Sequence, residues 1–191
     1  YQLLQPQARI STPRCYFTDL DEETHDFVLI MGDLAPAEQG DQLAGTSLEA
    51  TRLVLKEAAK LHSAFWEDEK LDRYHWVSGT TNAPNPISPE LVAGLWDGFK
   101  ARYGARVTGQ ARQIGDAMSR NLEANETIRT GQRCLIHSDF RPDNMLFDLS
   151  NTEKPVTVVD WQSFGYGPGG ADVGYFIAGA IDPATRREHE S

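Results

Sequence analysis

His137, Asp139, Arg141, Asp143 and Asn144 crowd into one short stretch, LIHSDFRPDNMLFD (residues 135 to 148), and Asp160 follows at the end of the apolar run VTVV. A turn that only reversed the chain would need Gly, Asn or Pro and few charges, so these groups point to a ligand. Asp139 and Asn144 share one loop, and Asp160 can reach them if the flanking apolar runs pair as strands. Asn144 and Asp160 are hard oxygen donors that suit Mg2+, an ion that keeps several waters and takes the rest of its shell from substrate phosphates. Asp139 is then free to orient and deprotonate a hydroxyl. The plainer reading, a polar turn followed by an ordinary strand-end Asp, leaves the complete spacing and the flanking apolar runs unexplained.

The elements that must position these groups are partly legible. RCYFTDLDEETHDFVLIM alternates around the acidic turn Asp21, Glu22 and Glu23, which predicts a hairpin of strands from about Arg14 to Asp19 and Phe27 to Met31. Thr46 and Glu49 stand at capping-box spacing before a helix expected from Ser47 to Trp66. Its buried face should carry Leu48, Thr51, Leu55, Ala58, His62 and Phe65, with Glu49, Arg52, Lys56 and Lys60 on a solvated side. On that apolar face His62 reads as a hydrogen-bonded core residue outside the site.

Residues 67 to 87 read as an extended connection, in which Trp76 reads as a packing residue that could also line a pocket. Ser88 as N-cap and Pro89 at the first helical position open a helix through Leu91, Leu95, Phe99 and Tyr103, closed by Gly104. A further helix is expected over Gly109 to Ala124, and DVGYFIAGAI suggests a last, buried one. His25 and His75 read as surface residues, Trp66 and Trp96 as packing residues, and Cys134 as a buried, inert thiol. The element order is α+β, without the regular alternation of a parallel sheet.

Composition narrows the function. With 191 residues and 40% hydrophobic content the chain can bury a core. Its 18 basic against 28 acidic residues give a formal charge of −10, and no Lys/Arg run offers a footprint for nucleic acid. Two cysteines, Cys15 and Cys134, are too few for a disulfide scaffold, which fits a reducing, cytoplasmic setting. No apolar run approaches the roughly 20 residues that span a bilayer, so no membrane partner is expected.

HSDFRPDN matches the His-x-Asp-x-x-x-x-Asn catalytic loop of protein-kinase-like phosphotransferases, and VVDWQ resembles their metal-binding Asp segment, with Trp161 and Gln162 in place of Phe-Gly. That departure, the following GPGGADVGYF and the helix end LHSAFW resemble the aminoglycoside phosphotransferase branch and related small-molecule kinases. The resemblance implies a protein-kinase-like fold and transfer of the γ-phosphate of ATP, with Mg2+, to a hydroxyl of a small molecule. It implies Asp139 as catalytic base, Asn144 and Asp160 as metal ligands, His137 as the brace of the loop and Asp172 as its tie. Arg141 falls where a charge could stabilise the transferred phosphate. FVLIMGDL looks like the last small-lobe strand and the hinge, so Met31, Gly32 and Asp33 would meet the adenine and Leu146 would lie under it.

The resemblance further implies that residues 1–34 are a remnant of a small lobe and 35–191 a mostly helical large lobe, incomplete at its end. A Gly-rich loop and strand Lys, which that family places upstream, are not found before the hairpin, so the chain reads as a fragment inactive by itself. The alternative is a non-catalytic nucleotide-binding or interaction module of the same fold. A metal-dependent phosphoesterase using His137, Asp139 and Asp160 is a third reading, weakened because such sites usually draw on more His ligands. The net negative charge would suit a cationic acceptor such as an aminoglycoside.

Overall fold

The acidic turn makes the first element. Asp21 Oδ1 accepts from the backbone N–H of Glu23 (2.8 Å) and Thr24 (3.1 Å), which reverses the chain between β1 (Cys15–Leu20) and β2 (Phe27–Met31). The two strands pair antiparallel from Leu20 opposite Phe27 to Cys15 opposite Met31, with a register irregularity between Cys15 and Phe17. The computed structural model describes residues 1, 3–74, 77, 88–122 and 131–189. Expectations for His75, Trp76, the end of the 109–124 helix and most of the later part of the 67–87 connection fall outside those residues.

Contacts divide the chain into two units, residues 1–80 with 132–191, and residues 81–131. In the first, β3 (Glu38–Gln39), β5 (Met145–Phe147) and β6 (Val156–Val158) form one antiparallel sheet, and β4 (Arg133–Ile136) pairs with β7 (Gly165–Pro168). Helix α1 (Leu48–Ala64) packs on β4 and β6, and helix α4 (Gly170–Ala180) packs on α1. Val54 and Leu61 of α1 and its C-cap Phe65 bury with Phe140, Met145, Val156, Val158 and Phe176 in one apolar core. Each such side chain contributes about 1.5–3 kcal/mol on leaving water.

Two details of α1 differ from expectation. The N-cap is Ser47, whose hydroxyl accepts from the N–H of Ala50, so the Thr46 capping box is not the one used. The buried stripe runs through Ala50, Thr51, Val54, Glu57, Ala58, Leu61 and His62, leaving Leu48 and Leu55 half-buried. Glu57 can be buried because it accepts from the N–H of Ser11 (2.7 Å) and pairs with Lys60, which satisfies a charge that would otherwise be costly to bury. Part of the expected extended connection is a 3-10 turn over Glu69–Arg73. Trp66 is exposed rather than packed. Cys134 is fully buried, and burial pushes its thiol up to about 12.

In the second unit, helix α2 (Pro89–Tyr103) starts at the Ser88 cap and ends at Gly104, and helix α3 (Gly109–Arg120) starts at the Thr108 cap. Trp96 lies against α3 where Gly115 has no side chain; a Cβ there would collide with the indole. The Trp96 Nε1–H donates to Asp116 (2.7 Å), which also receives Lys100 (3.0 Å). The expected apolar stripe Leu91, Leu95, Phe99 and Tyr103 is present but exposed. Helix α4 is likewise only half-buried, through Asp172, Phe176 and Ala180, and a further short helix α5 (Pro183–His189) follows it. No helix among the described residues is long and apolar enough to cross a membrane.

Candidate functional site

Strand β4 ends at Ile136, and the next two backbone N–H groups, of His137 and Ser138, each donate to the Asp172 carboxylate at 2.9 Å. Ser138 takes a left-handed conformation, φ 70°, to make this possible, a cost of about 1–3 kcal/mol that other contacts must over-determine. Asp172 sits in the first turn of α4, 1% exposed. Its third donor is His62 of α1, with Nε2 3.0 Å from Oδ2. A carboxylate can only accept, so with Asp172 ionised His62 carries its proton on Nε2. The His62 ring lies where a Cβ on Gly169 would stand 2.7 Å from Nδ1, so position 169 has no room for a side chain.

His137 closes the loop from the other side. Its Nε2 donates to the carbonyl of Val159 (2.9 Å) and its Nδ1 accepts from the N–H of Asp139 (3.3 Å), which fixes the tautomer. The ring packs edge-on to Trp161 at a centroid distance of 4.7 Å. The loop is therefore held to α1, α4 and the segment after β6 at once.

Within this frame Asp139, Arg141 and Asn144 are in direct contact. Asn144 Nδ2 donates to the Asp139 carbonyl (2.9 Å) and to its Oδ2 (2.8 Å), while Arg141 Nε lies 3.2 Å from each carboxylate oxygen. Tyr175 Oη, from α4, donates to Oδ1 at 3.4 Å. Partial burial pushes the Asp139 carboxyl up, but donation from Asn144, Arg141 and Tyr175 outweighs it and holds the group below the usual carboxylate range. Arg141 also faces Asp143 at 3.9 Å, and Asp143 is braced from the β3 side, where Gln39 Nε2 donates to its carbonyl (2.7 Å).

The backbone just before Asp160 is tied to this cluster. The N–H of Val159 donates to the Asn144 carbonyl (2.9 Å), and Met145 pairs with Val158 across β5 and β6. Asp160 itself is exposed and left-handed, φ 62°. With Asn144 Nδ2 directed at Asp139, its carboxamide oxygen is the ligand it has left to offer, and the Asp160 carboxylate is the other. Asn144 is buried and Asp160 exposed, and both offer the hard oxygen chemistry that suits Mg2+, which takes a few protein ligands and keeps waters. Leu146 is half-buried in the middle of β5, opposite Gln39 and Thr157. Met31, Gly32 and Asp33 lie at the end of β2, where their bonds are local: Gly32 N–H to the Arg14 carbonyl (2.8 Å) and Ala35 N–H to Asp33 Oδ1 (2.9 Å).

Two pairings escape the sequence reading. His62 is the hydrogen-bonded core residue expected, and its acceptor is the carboxylate that holds the loop. Tyr175 draws no attention in the sequence. Neither carries a local signal, because each partner lies far along the chain.

The family model described as "Ecdysteroid kinase-like family" matches residues 2–191. Among curated proteins no sequence match is found. Among solved structures, the GDP complex of wild-type aminoglycoside 2'-phosphotransferase-IIIa matches with a TM-score of 0.55 and 14% identity, covering 93% of this chain and 58% of that one. An aminoglycoside-3'-phosphotransferase of type VIII matches with a TM-score of 0.51 and 16% identity over 97% of this chain and 70% of that one. LicA in complex with AMP matches with a TM-score of 0.50 and 14% identity over 98% of this chain and 55% of that one. These likenesses show the fold, an α+β protein-kinase-like one, and the chain spans just over half the length of two of these three structures.

Proposed function

The chain belongs to the ecdysteroid kinase-like family, and from that premise we propose that it carries the catalytic loop of an ATP-dependent phosphotransferase whose acceptor is a hydroxyl of a small molecule. The observation that carries this reading is the contact of Asn144 with Asp139 (2.8 Å), together with the bond from Val159, the residue before Asp160, to the Asn144 carbonyl. In the reaction the acceptor oxygen forms a bond to the γ-phosphorus, the bond from phosphorus to the β–γ bridging oxygen breaks, and ADP leaves. Asp139 takes the proton released by the acceptor hydroxyl. Asn144 and Asp160 would hold Mg2+, which supplies neutralisation of phosphate charge. Arg141, here paired with Asp139 and facing Asp143, would turn its guanidinium toward the transferred phosphoryl group and stabilise it. Residues 31–33 would serve as the hinge that meets the adenine, with Leu146 beneath it, residues 1–34 belonging to the smaller lobe and 35–191 to the larger. A cytoplasmic location suits this use of ATP.

The test is Asp139→Asn in the protein expressed from its complete open reading frame. Turnover should fall by about a hundredfold or more, as when a positioned acid–base group is lost, with nucleotide binding kept. Unchanged turnover removes Asp139 from the mechanism.

A further inference from the structure

The Asp139 carboxylate has two unequal oxygens. Oδ2 receives Asn144 Nδ2 at 2.8 Å and Arg141 Nε at 3.2 Å, whereas Oδ1 faces Arg141 at 3.2 Å and the Tyr175 hydroxyl at 3.4 Å. A donor at 3.4 Å is at the weak limit of a hydrogen bond, so Oδ1 is the oxygen an incoming hydroxyl can claim. Tyr175 is 49% exposed, on the solvent side of α4, while its neighbours Asp172 and Phe176 are buried. The helix surface one position before it is uncovered: a Cβ on Gly174 would meet no atom within 4 Å apart from its chain neighbours and the helix backbone. An alcohol that donates to Oδ1 from that open side, at about 2.7 Å, stands within hydrogen-bond reach of Tyr175 Oη.

We propose that Tyr175 is a positioning residue of the acceptor site, whose hydroxyl occupies Asp139 Oδ1 until the acceptor arrives and then holds the acceptor oxygen against that base. This rests on the phosphotransferase reading above. Tyr175 exchanges no proton in the transfer: the acceptor proton goes to Asp139, and the phenol keeps its own while its hydrogen bond moves from Oδ1 to the acceptor. The consequence is selectivity between acceptors. Water that donates to Oδ1 meets the same hydroxyl, but a bulkier alcohol, with fewer productive orientations, depends more on being held by it.

The experiment compares the wild type with Tyr175→Phe in the protein expressed from its complete open reading frame, with Mg-ATP and an aminoglycoside, choline and an ecdysteroid offered in turn. Two rates are read, acceptor phosphorylation and ATP hydrolysis. Tyr175→Phe should lower the ratio of phosphorylation to hydrolysis by about tenfold, the size expected for one lost hydrogen bond in the transition state, and should lower kcat/KM for the acceptor without a matching rise in the KM for ATP. An unchanged ratio, or a parallel loss of both rates, overturns the proposal, because a residue that only supported the fold would lower both together. Asp139→Asn in the same assay keeps the two questions apart: full transfer by that variant would remove the phosphotransferase reading itself, whereas its loss beside an unchanged Tyr175→Phe ratio would remove only the role of Tyr175.

Discussion

At the scale of single residues, the site depends on a carboxylate that does no chemistry. Asp172 accepts from His62, His137 and Ser138 while 1% exposed, and hydrogen bonds to a buried charged group are worth about 1.5–3 kcal/mol each. His62→Ala removes one of the three donors and opens space against Gly169. The expected outcome is a loss of about 2 kcal/mol, seen as a drop of about 4–8 °C in thermal midpoint for a chain of this size. The exposed His189, at the end of α5, is the control. If His189→Ala lowers the midpoint as much, the bond from His62 to Asp172 adds no stability of its own.

At the scale of elements, the pair α2 and α3 is held by polar contacts more than by burial. No residue of α2 is buried, and Ser119 is the buried residue of α3. Asp116 receives the indole N–H of Trp96 and the ammonium of Lys100, and donation from Trp96, then from Lys100, holds its carboxyl below the ordinary value. A carboxyl with a lowered folded-state pKa contributes stability above its unfolded value, near 3.9, and loses it as the pH falls through the lower folded value. The Trp96 indole N–H resonance should therefore stay constant down to about pH 5 and move below about pH 4, toward that of an indole without its partner. A shift already complete at neutral pH would show that Asp116 does not hold the ring.

At the scale of the whole molecule, stability should be uneven. Val54, Leu61, Phe65, Phe140, Met145 and Phe176 are buried in one core of the first unit, whereas α2 leaves Leu91, Leu95, Phe99 and Tyr103 exposed. Local opening costs least where few apolar groups must be exposed. Amide protons of α2 and α3 should exchange on the order of a hundredfold faster, or more, than those of the central turns of α1 and of β4. Equal protection across both units, measured by hydrogen exchange, would show that their stability is shared.

The residue types of the loop, the hairpin at Asp21, the cap at Ser88 and the helix stop at Gly104 were legible in the sequence because each is a local device. An Asx turn, a cap or a catalytic spacing is written within a few residues of the atoms it serves. Periodicity likewise showed which faces of the helices are apolar, but it could not say what covers them, and the stripe of α2 proved exposed. The resemblance already implied Asp172 as the tie of the loop, but the pairings of His62 and Tyr175 were decided by tertiary structure alone. His62 meets Asp172 across 110 positions, and Tyr175 meets Asp139 across 36. A histidine on an apolar helix face and a tyrosine on a half-exposed helix look the same whether or not a carboxylate stands opposite, because the distance between two side chains is set by how α1, β4 and α4 pack and by nothing in the local chain.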